Sequence, residues 1–585
     1  ATHEGVLSVT DSVTYTWPLT GSKSITVTVA NERGQVMATH AITLYQLVAD
    51  FTAAPLSGVA PVTVTFTNLT LGPYSHSDWD FGDGITSTLE SPTHTYTVSG
   101  LYTVSLTISG TGGIDTRVVT DCITAFPVIP DPGPHRTDIV VQNLGSRAAG
   151  VKLNLVTGET GGEPQRYDLG SRLPPLGWRR VASGDLQPGP NGVWAGSGTL
   201  LSTQPLAAVV DVLWDHPLGP RTAAAYTGQG APANQAYLPR LAAADGYLTQ
   251  IVVHNTAAAE AAVAIHIYDR TGAEVLVHNA TIPAGAEKTF SLDALGPDLS
   301  ASNGWGSACV SADQPVAALA AVHTLFSSAV YAGAAAGDTV LWAPGVRRGL
   351  DGSKDYSEVA VQNTATVTAS VHVEFISPSG LLTYAFDDTI APQATAAYNT
   401  YTRGTLDVGT WLDLIAALGD NWRGTVRVTS SGGQPLVGVG VHWAGSMGLD
   451  DNLAAGAVGG GAASGHGLTF PAVYRLLSGG SDERWSVACV HNTAAVSGTL
   501  SLEFYDAEGA LVGSTYPIEV AANGSVRLDL KDGADLPPAA LSDLGEGFSG
   551  SLVVRASPGL QLSGLNETWC PGQERAWGYP GFALP

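Results

Sequence analysis

Residues 78–84 read DWDFGDG, and two short stretches follow them: HTY at residues 94–96 and GLYTVSLTI at residues 100–108. In the third stretch valine, leucine and isoleucine alternate with threonine and serine, which is the pattern of a half-buried β-strand. The glycines and aspartates of the first stretch are typical of a tight turn. Together they predict a small β-sandwich over residues 48–126.

This module resembles the PKD domain, an immunoglobulin-like β-sandwich common in extracellular proteins. The signature of that domain is a WDFGDG turn followed by an HTY and a GxYTVxLT strand. The resemblance implies a complete sandwich and an extracellular setting. The strand alternation places Trp79, Phe81 and Leu106 in its core.

Three acidic residues, Asp78, Asp80 and Asp83, lie in the turn. Their carboxylates suit hydrogen bonds to the backbone N–H groups of a turn, and three nearby acids could also hold calcium. The twelve-residue ligand spacing of an EF-hand is missing. A hydrogen-bonded turn is the preferred interpretation, calcium is the alternative, and no other cofactor is predicted.

The whole chain has 585 residues, which predicts several modules rather than one core. Its 70 glycines and 34 prolines favour short strands and tight turns over long helices. The predicted fold class is all-β, with tandem immunoglobulin-like β-sandwich modules in an elongated chain.

The charge balance is strongly acidic, with 26 basic and 51 acidic residues and a net charge of −25. Nucleic acid is therefore not expected as a partner, because phosphate binding needs a basic face. No run of about 18 apolar residues is present, so no membrane span is expected. The chain starts at Ala1 without a signal-peptide pattern, and we interpret it as a mature chain that is secreted or held at the cell surface.

Residues 1–47 are too short for a sandwich but contain the pattern of its last two strands. Ile25, Val27 and Val29 alternate with threonines as in residues 100–108. The early strands of such a half-domain are absent or reduced to residues 1–12, which would leave edges and apolar faces open to another chain. The alternatives are an artificial or proteolytic terminus, or a small hairpin that packs on the PKD module.

A five-residue motif ending in asparagine indicates an internal repeat. It reads IVVQN at residues 139–143, IVVHN at 251–255, VAVQN at 359–363 and ACVHN at 488–492. We predict four β-sandwich repeats with these asparagines in one structural position, over residues 127–235, 236–340, 341–468 and 469–585. The repeats resemble modules of large bacterial surface proteins.

The C-terminal segment resembles the aromatic and proline strand that begins each repeat, such as Tyr237-Leu238-Pro239. We predict that it docks on the N-terminal half-domain of a neighbouring copy. Alternatively, Trp577 closes the fourth sandwich and only residues 582–585 form a free tail. The candidate assembly residues are Ile25, Val27, Val29, Trp577, Tyr579, Phe582 and Leu584.

The rest of the sequence contains few candidate catalytic or binding residues. GxSxG, HExxH, phosphate-loop and dinucleotide patterns are missing, so the sequence predicts no enzyme. Cys489 and Cys570 lie in one repeat and could form a disulfide if their Cα atoms come within about 7 Å, while Cys122 and Cys309 are expected to be buried and free. Thirteen tryptophans could supply a stacking platform for sugar rings.

Two functions follow from these patterns. The first is a structural subunit of an extracellular filament, in which copies of the chain join head to tail by β-strand addition. The alternative is an adhesin or glycan-binding stalk with surface polysaccharide as its partner.

Overall fold

The computed structural model describes the following residues: 21–31, 34–44, 47–98, 100–110, 113–126, 135–158, 164–169, 172–182, 196–214, 222–230, 232–243, 247–324, 328–349, 355–443, 453–460, 467–476, 483–570 and 575–585. They divide into two compact units, Ala1–Val128 and Ile129–Pro585. Nearly every regular element is a β-strand, which confirms the all-β class.

The first unit contains a hairpin and a sandwich. The strands of the unit are β1 (Gly21–Asn31), β2 (Gly34–Leu44), β3 (Phe51–Ala54), β4 (Ser57–Val59), β5 (Val62–Asn68), β6 (His76–Asp80), β7 (Thr86–Ser87), β8 (Thr93–Tyr96), β9 (Gly100–Gly110) and β10 (Gly113–Phe126). Among the described strands β1 pairs only with β2, whereas β4-β10-β9-β6-β7 and β3-β5-β8 form the two sheets of the sandwich.

The sandwich core matches the sequence pattern. Trp79, Phe81 and Leu106 are at most 1% exposed, as predicted. The Trp79 indole N–H donates to the carbonyl oxygen of Leu89 (2.9 Å), so its one polar atom is satisfied inside the core.

The hairpin β1–β2 provides the two strands that the sequence predicts for the N-terminal half-domain, and residues 1–20 lie outside the described residues. None of its described side chains is buried: Ile25 is 40% exposed and Val27 46%, while the side chain of Val29 is not among them. The alternative of a hairpin whose apolar residues pack on the PKD module is therefore not what the structure shows.

The second unit contains four sandwiches. The first has β11 (His135–Asn143), β12 (Val151–Thr157), β13 (Gln165–Asp168), β14 (Trp178–Ala182), β15 (Gly196–Ser202), β16 (Leu206–Trp214) and β17 (Thr222–Thr227). The second has β18 (Ala233–Ala242), β19 (Leu248–Asn255), β20 (Ala261–Asp269), β21 (Glu274–Ile282), β22 (Glu287–Ser291), α1 (Leu292–Leu295), a 3₁₀ turn (Ser300–Ser302), β23 (Trp305–His323) and β24 (Ser328–Ala332).

The third and fourth repeats follow the same order of elements. The third has β25 (Val340–Arg348), β26 (Tyr356–Asn363), β27 (Ala369–Ile376), β28 (Leu382–Ile390), β29 (Thr395–Asn399), α2 (Val408–Leu418), β30 (Trp422–Ser430), β31 (Leu436–Trp443) and β32 (Leu453–Gly460). The fourth has β33 (Gly467–Arg475), β34 (Trp485–Asn492), β35 (Gly498–Tyr505), β36 (Leu511–Val520), β37 (Ser525–Asp529), α3 (Pro538–Leu544), β38 (Phe548–Ala556), β39 (Leu562–Cys570), β40 (Arg575–Pro580) and β41 (Phe582–Ala583).

The first and fourth repeats each have two separate sheets, whereas the strands of the second repeat join into one seven-stranded sheet and those of the third into one eight-stranded sheet. We name the two separate sheets after one strand in each. The asparagine sheet holds the strand that ends in the motif asparagine and the last long strand of the repeat, the closing strand; in the fourth repeat its order is β37-β34-β39-β40. The leading sheet holds the first strand of the repeat, and its order there is β36-β35-β38-β33-β41. In the first repeat the described strand β11 lies in the asparagine sheet, β14-β11-β16-β17, and the other sheet has three described strands, β13-β12-β15.

The four motif asparagines occupy one structural position, as predicted. Asn143, Asn255, Asn363 and Asn492 are each the last residue of their strand and fully buried. Each side-chain amide donates to the carbonyl oxygen four residues later, at 2.7–2.8 Å, and each side-chain oxygen accepts from the N–H two residues later. The asparagine therefore builds the turn that follows its strand.

The four repeats of the second unit close into a ring. Their closing strands β17, β24, β32 and β40 contact one another in cyclic order, so β40 of the fourth repeat returns to β17 of the first. In a linear series of modules the first and fourth repeats would not touch. Here the buried Gln142 of the first repeat donates to Ser551 and accepts from Thr469 of the fourth, both at 2.7 Å.

Turn-to-turn contacts join neighbouring repeats, and we call each interface a seam. The N–H of Ser525 in the fourth repeat donates to Pro378 O of the third (2.9 Å). A Cβ atom on Gly380 would lie 2.0 Å from the Ala522 carbonyl oxygen, and the residue has φ +82°. Glycine is therefore required where these two turns meet.

The C-terminal segment completes its own repeat. Trp577 and Tyr579 lie in β40 and are at most 2% exposed, while Phe582 pairs with Thr469 on β33. Leu584 is 8% exposed and its N–H donates to Gly467 O (3.1 Å). The prediction that these residues form a free strand for a neighbouring copy is wrong for this structure, because their edges and side chains are already used. The alternative that Trp577 closes the fourth sandwich is what the structure shows, although the following residues are not a free tail.

The proposed disulfide is also wrong. All four cysteines are free. Cys489 on β34 lies opposite Leu565 on β39, and Cys570 lies five residues further along β39. At about 3.3 Å per residue this separation is far too long for an S–S bond. Cys309 is buried as expected, whereas Cys122 is only half-buried.

Candidate functional site

The acidic residues of the PKD turn satisfy the turn itself. The Asp80 carboxylate accepts from the Gly82 N–H (2.9 Å). The Asp83 carboxylate accepts from the Ile85 N–H (3.1 Å) and lies 2.7 Å from His94 Nε2. Asp78 lies on β6 with its side chain exposed. Within the residues that the structure describes, no group of three or more His, Cys, Asp or Glu residues could hold a metal ion.

A cleft of the second unit lies at the seam between the third and fourth repeats. Its volume is roughly 760 Å³. Its lining contains two tryptophans and both acidic and basic side chains. The aromatic, charged and thiol residues of the lining are Arg347, Asp355, Arg423, Trp485, Cys489, Arg527, Asp529, Lys531, Asp532, Asp535, Glu567 and Trp569.

Strand alternation aims these side chains at the seam. Trp485 and Trp569 lie opposite each other on β34 and β39, and Glu567 is two residues from Trp569. Residues two apart on a strand share a face, so this face of the fourth asparagine sheet presents both tryptophans and a carboxylate. Across the seam, β25 and β30 place Arg347 directly opposite Arg423.

A buried ion pair crosses the seam at the base of the cleft. Nη1 of Arg347 donates to both carboxylate oxygens of Glu567, at 3.0 and 2.8 Å, and the side chains are 9% and 3% exposed. Burial opposes the charge of Glu567, but Arg347 outweighs it and holds the pKa of that carboxyl below its usual value. Both groups are therefore charged at neutral pH.

A serine and a histidine beside this pair resemble a nucleophile and its base. The Ser357 hydroxyl lies 2.7 Å from His442 Nδ1, but the two residues are 0% and 2% exposed. The same hydroxyl accepts from the Arg347 N–H, as the Ser486 hydroxyl accepts from the Tyr474 N–H at the equivalent place in the next repeat. We therefore assign Ser357 a structural role.

The seam between the second and third repeats holds a related charge cluster. Arg240 Nε donates to Glu358 (2.9 Å), and both side chains are buried. The Arg240 guanidinium lies 4.3 Å from the ring of Trp305 and 5.4 Å from that of Trp443, which adds cation–π attraction.

The seam between the first and fourth repeats contains two facing carboxylates. Asp138 on β11 lies opposite Asp211 on β16, and Arg180 pairs with Asp138. Asp211 is 3% exposed, and one of its oxygens is buried without a hydrogen bond. Burial, followed by the charge of Asp138, raises the pKa of Asp211 to about 7.

Asp211→Asn is expected to stabilise the second unit at pH 8 but not at pH 4. Between the ordinary pKa of 3.8 and about 7, the folded chain binds more protons than the unfolded chain, so stability falls as pH rises through this range. Asparagine does not titrate, and the gain at pH 8 should be about 1–3 kcal/mol. Urea denaturation at both pH values measures it.

The control is Asp413→Asn, because Asp413 is exposed on α2. It should behave like the unchanged protein at both pH values. An Asp211→Asn variant whose stability follows the same pH curve as the unchanged protein would contradict the assignment.

The family comparison identifies the first module. Residues 50–125 match the family model of the PKD domain, so the first unit contains a PKD domain and the resemblance is confirmed. No curated protein matches the chain.

Several solved structures show limited similarity. A carbohydrate-binding module of the β-sandwich superfamily is 14% identical, covering 48% of this chain and 97% of its own, with a TM-score of 0.17. A Methanosarcina mazei protein solved by NMR is 27% identical, covering 22% of this chain and 83% of its own, with a TM-score of 0.13. The Bacteroides ovatus protein SGBP-B, from a mixed-linkage glucan utilization locus and in complex with a mixed-linkage heptasaccharide, is 10% identical, covering 65% and 100%, with a TM-score of 0.11.

The sequence indicated that tryptophans could stack on sugar rings, but it did not predict the cleft. Arg347, Arg423 and Glu567 come from two repeats and meet only because the seam forms. The sequence offered no clear signal for them, because β25, β30 and β39 also contain other polar or charged residues. No helix in the described part of the chain is long and apolar enough to cross a membrane.

Proposed function

We propose that this protein is a non-catalytic, extracellular, multi-domain adhesin that binds polysaccharide in the cleft between its third and fourth repeats. The observation that supports this most directly is the cleft itself. It is large enough for a few sugar rings and combines two tryptophans with many hydrogen-bonding side chains, which is the usual composition of a ligand site.

The surrounding architecture suits a binding role. Ligand sites need side chains whose positions are fixed before binding, because ordering them on binding costs affinity. Trp569 lies on a central strand, β39, which pairs with β34 on one side and β40 on the other. Arg347 lies 5.4 Å from the ring of Trp569 and is itself anchored by Glu567. The ring of repeats thus acts as a rigid platform.

Replacing Trp569 by leucine is expected to weaken polysaccharide binding about tenfold, because the stacking surface is lost while the strand stays apolar. Affinity electrophoresis against a panel of neutral and acidic polysaccharides identifies a ligand, and calorimetry gives its affinity.

The control is Trp411→Leu on α2, because Trp411 is half-buried and does not line the cleft. It should bind like the unchanged protein. The proposal fails if the unchanged protein retains no polysaccharide, or if both tryptophan variants bind equally well.

Assembly of copies is a second candidate function, favoured by the exposed hairpin β1–β2. Val36 and Met37 are 74% and 60% exposed, in addition to Ile25 and Val27. Apolar exposure on a sheet with free edges favours pairing with another chain. Sedimentation velocity over a range of concentrations tests this, and a monomer throughout would exclude it.

A further inference from the structure

The cleft between the third and fourth repeats places two arginines side by side. Arg347 on β25 and Arg423 on β30 lie directly opposite each other in an antiparallel pair. Like charges at such a position are destabilising unless an anion separates or neutralises them. The pair therefore needs compensation from outside these two strands.

Arg347 has that compensation but Arg423 does not. Glu567 binds Arg347 with both oxygens, and Asp529 binds the nearby Arg527 (2.6 Å). Arg423 is half-buried, and its guanidinium makes no hydrogen bond or ion pair with any group that the structure describes. Burial, and then the positive charges of Arg527 and Arg347, lower the pKa of Arg423.

The carboxylates of the cleft already have partners. Asp529 also accepts from the Lys531 N–H (2.9 Å) and Asp535 accepts from the Arg527 N–H (2.9 Å). Asp532 accepts from the Ala534 N–H (3.2 Å), and Asp355 adds negative charge beside Arg347. The guanidinium of Arg423, in contrast, keeps its hydrogen-bonding capacity open towards a ligand among the residues that the structure describes.

The chemistry of such a ligand follows from its neighbours. A guanidinium binds a carboxylate with two parallel hydrogen bonds, and this preference is stronger where water is partly excluded. Trp485 and Trp569 line the same cleft. Trp569 is half-buried and its ring suits the face of a sugar, whereas Trp485 is 8% exposed and Lys531 Nζ lies 4.1 Å from its ring. A ligand that pairs with the guanidinium and also stacks on a tryptophan ring has a carboxylate and a sugar ring.

We infer that the cleft binds an acidic polysaccharide, with the carboxylate of a uronic acid residue paired to Arg423 and its ring beside the tryptophans. This inference rests on the proposed function and specifies its ligand. The lining holds four basic and five acidic side chains, so the attraction for the carboxylate comes from Arg423 itself and not from the net charge of the cleft.

The test compares uronic acid oligosaccharides with their methyl esters, which keep the sugar ring but lose the charge. The probes are oligomers of galacturonate, mannuronate and glucuronate, with inorganic phosphate as a simple anion, and titration calorimetry gives each affinity. At least one uronate should bind about ten times more tightly than its ester. Its affinity should fall as salt concentration rises.

Arg423→Gln is the matching variant, and Arg403→Gln, an exposed arginine outside the cleft, is its control. Arg423→Gln should lose the difference between acid and ester while its melting temperature stays the same or rises, because a like-charge contact is removed. Loss of binding with an unchanged or higher melting temperature separates a ligand contact from a structural role.

The outcomes separate this inference from the proposed function. Equal binding of acids and esters, unaffected by Arg423→Gln, overturns the anionic ligand but keeps a polysaccharide site. Phosphate that competes as well as the uronate overturns the sugar specificity. If no polysaccharide binds and Trp569→Leu changes nothing, the proposed function itself fails.

Discussion

Replacing Glu567 by alanine is expected to lower the free energy of unfolding of the four-repeat unit by about 3–5 kcal/mol, because it leaves a buried arginine without its partner. Arg347 is 9% exposed and its Nε atom already lacks a hydrogen bond. Urea denaturation followed by tryptophan fluorescence measures the loss. Hydrogen exchange should also speed up first in β25 and β39, which carry the two residues.

The matched control is the pair between Arg555 and Glu503, which has a similar distance of 2.9 Å but leaves Arg555 48% exposed. Glu503→Ala should cost under about 1 kcal/mol, since a solvated arginine finds water instead. The double variant Arg347→Met with Glu567→Leu should recover much of the lost stability. Equal losses for Glu567→Ala and Glu503→Ala would contradict a buried pair.

Trp79→Ala is expected to destabilise the PKD module by about 3–5 kcal/mol, as for other large buried aromatic residues. Trp79 is 1% exposed and packs against Phe51, Phe66 and Phe81, with ring centroids 5.2, 5.5 and 6.4 Å away. The substitution removes these contacts and opens a cavity. Hydrogen exchange of the β9 amides measures the stability of this module within the full chain.

Leu101→Ala is the control in the same module, because Leu101 is 63% exposed on β9. A change within about 0.5 kcal/mol is expected for such a surface position. If Trp79→Ala leaves the exchange of β9 unchanged, the module does not depend on the core that the structure shows.

The sequence was sufficient for the parts of the fold that depend on local pattern. The alternation in residues 100–108 and the turn at residues 78–84 predicted the PKD sandwich with its core residues. The asparagine motif predicted four equivalent strand ends, because a buried asparagine that caps a turn recurs with the turn. These features involve residues close in sequence or repeated at a regular interval.

Contacts between repeats could not be predicted in the same way. The Arg347–Glu567 pair joins residues far apart in sequence, and the strand pattern of each repeat says nothing about how successive repeats turn. The C-terminal segment was misassigned because its apolar pattern fits any strand edge. Only the structure shows that its strand β41 pairs with β33 of the same repeat. The cysteine pair failed because sharing two adjacent strands does not fix the register between them.

The closed ring limits how this protein can change over evolutionary time. Open arrays gain or lose a unit easily, because each unit contacts only its neighbours and new units extend an end. Here β40 meets β17, and Gln142 is matched to Ser551 and Thr469 across the closing seam. Duplicating or deleting a single repeat would break that seam and expose two apolar faces at once. The lineage of this protein is therefore expected to vary by substitution within four repeats, while the number of repeats stays constant.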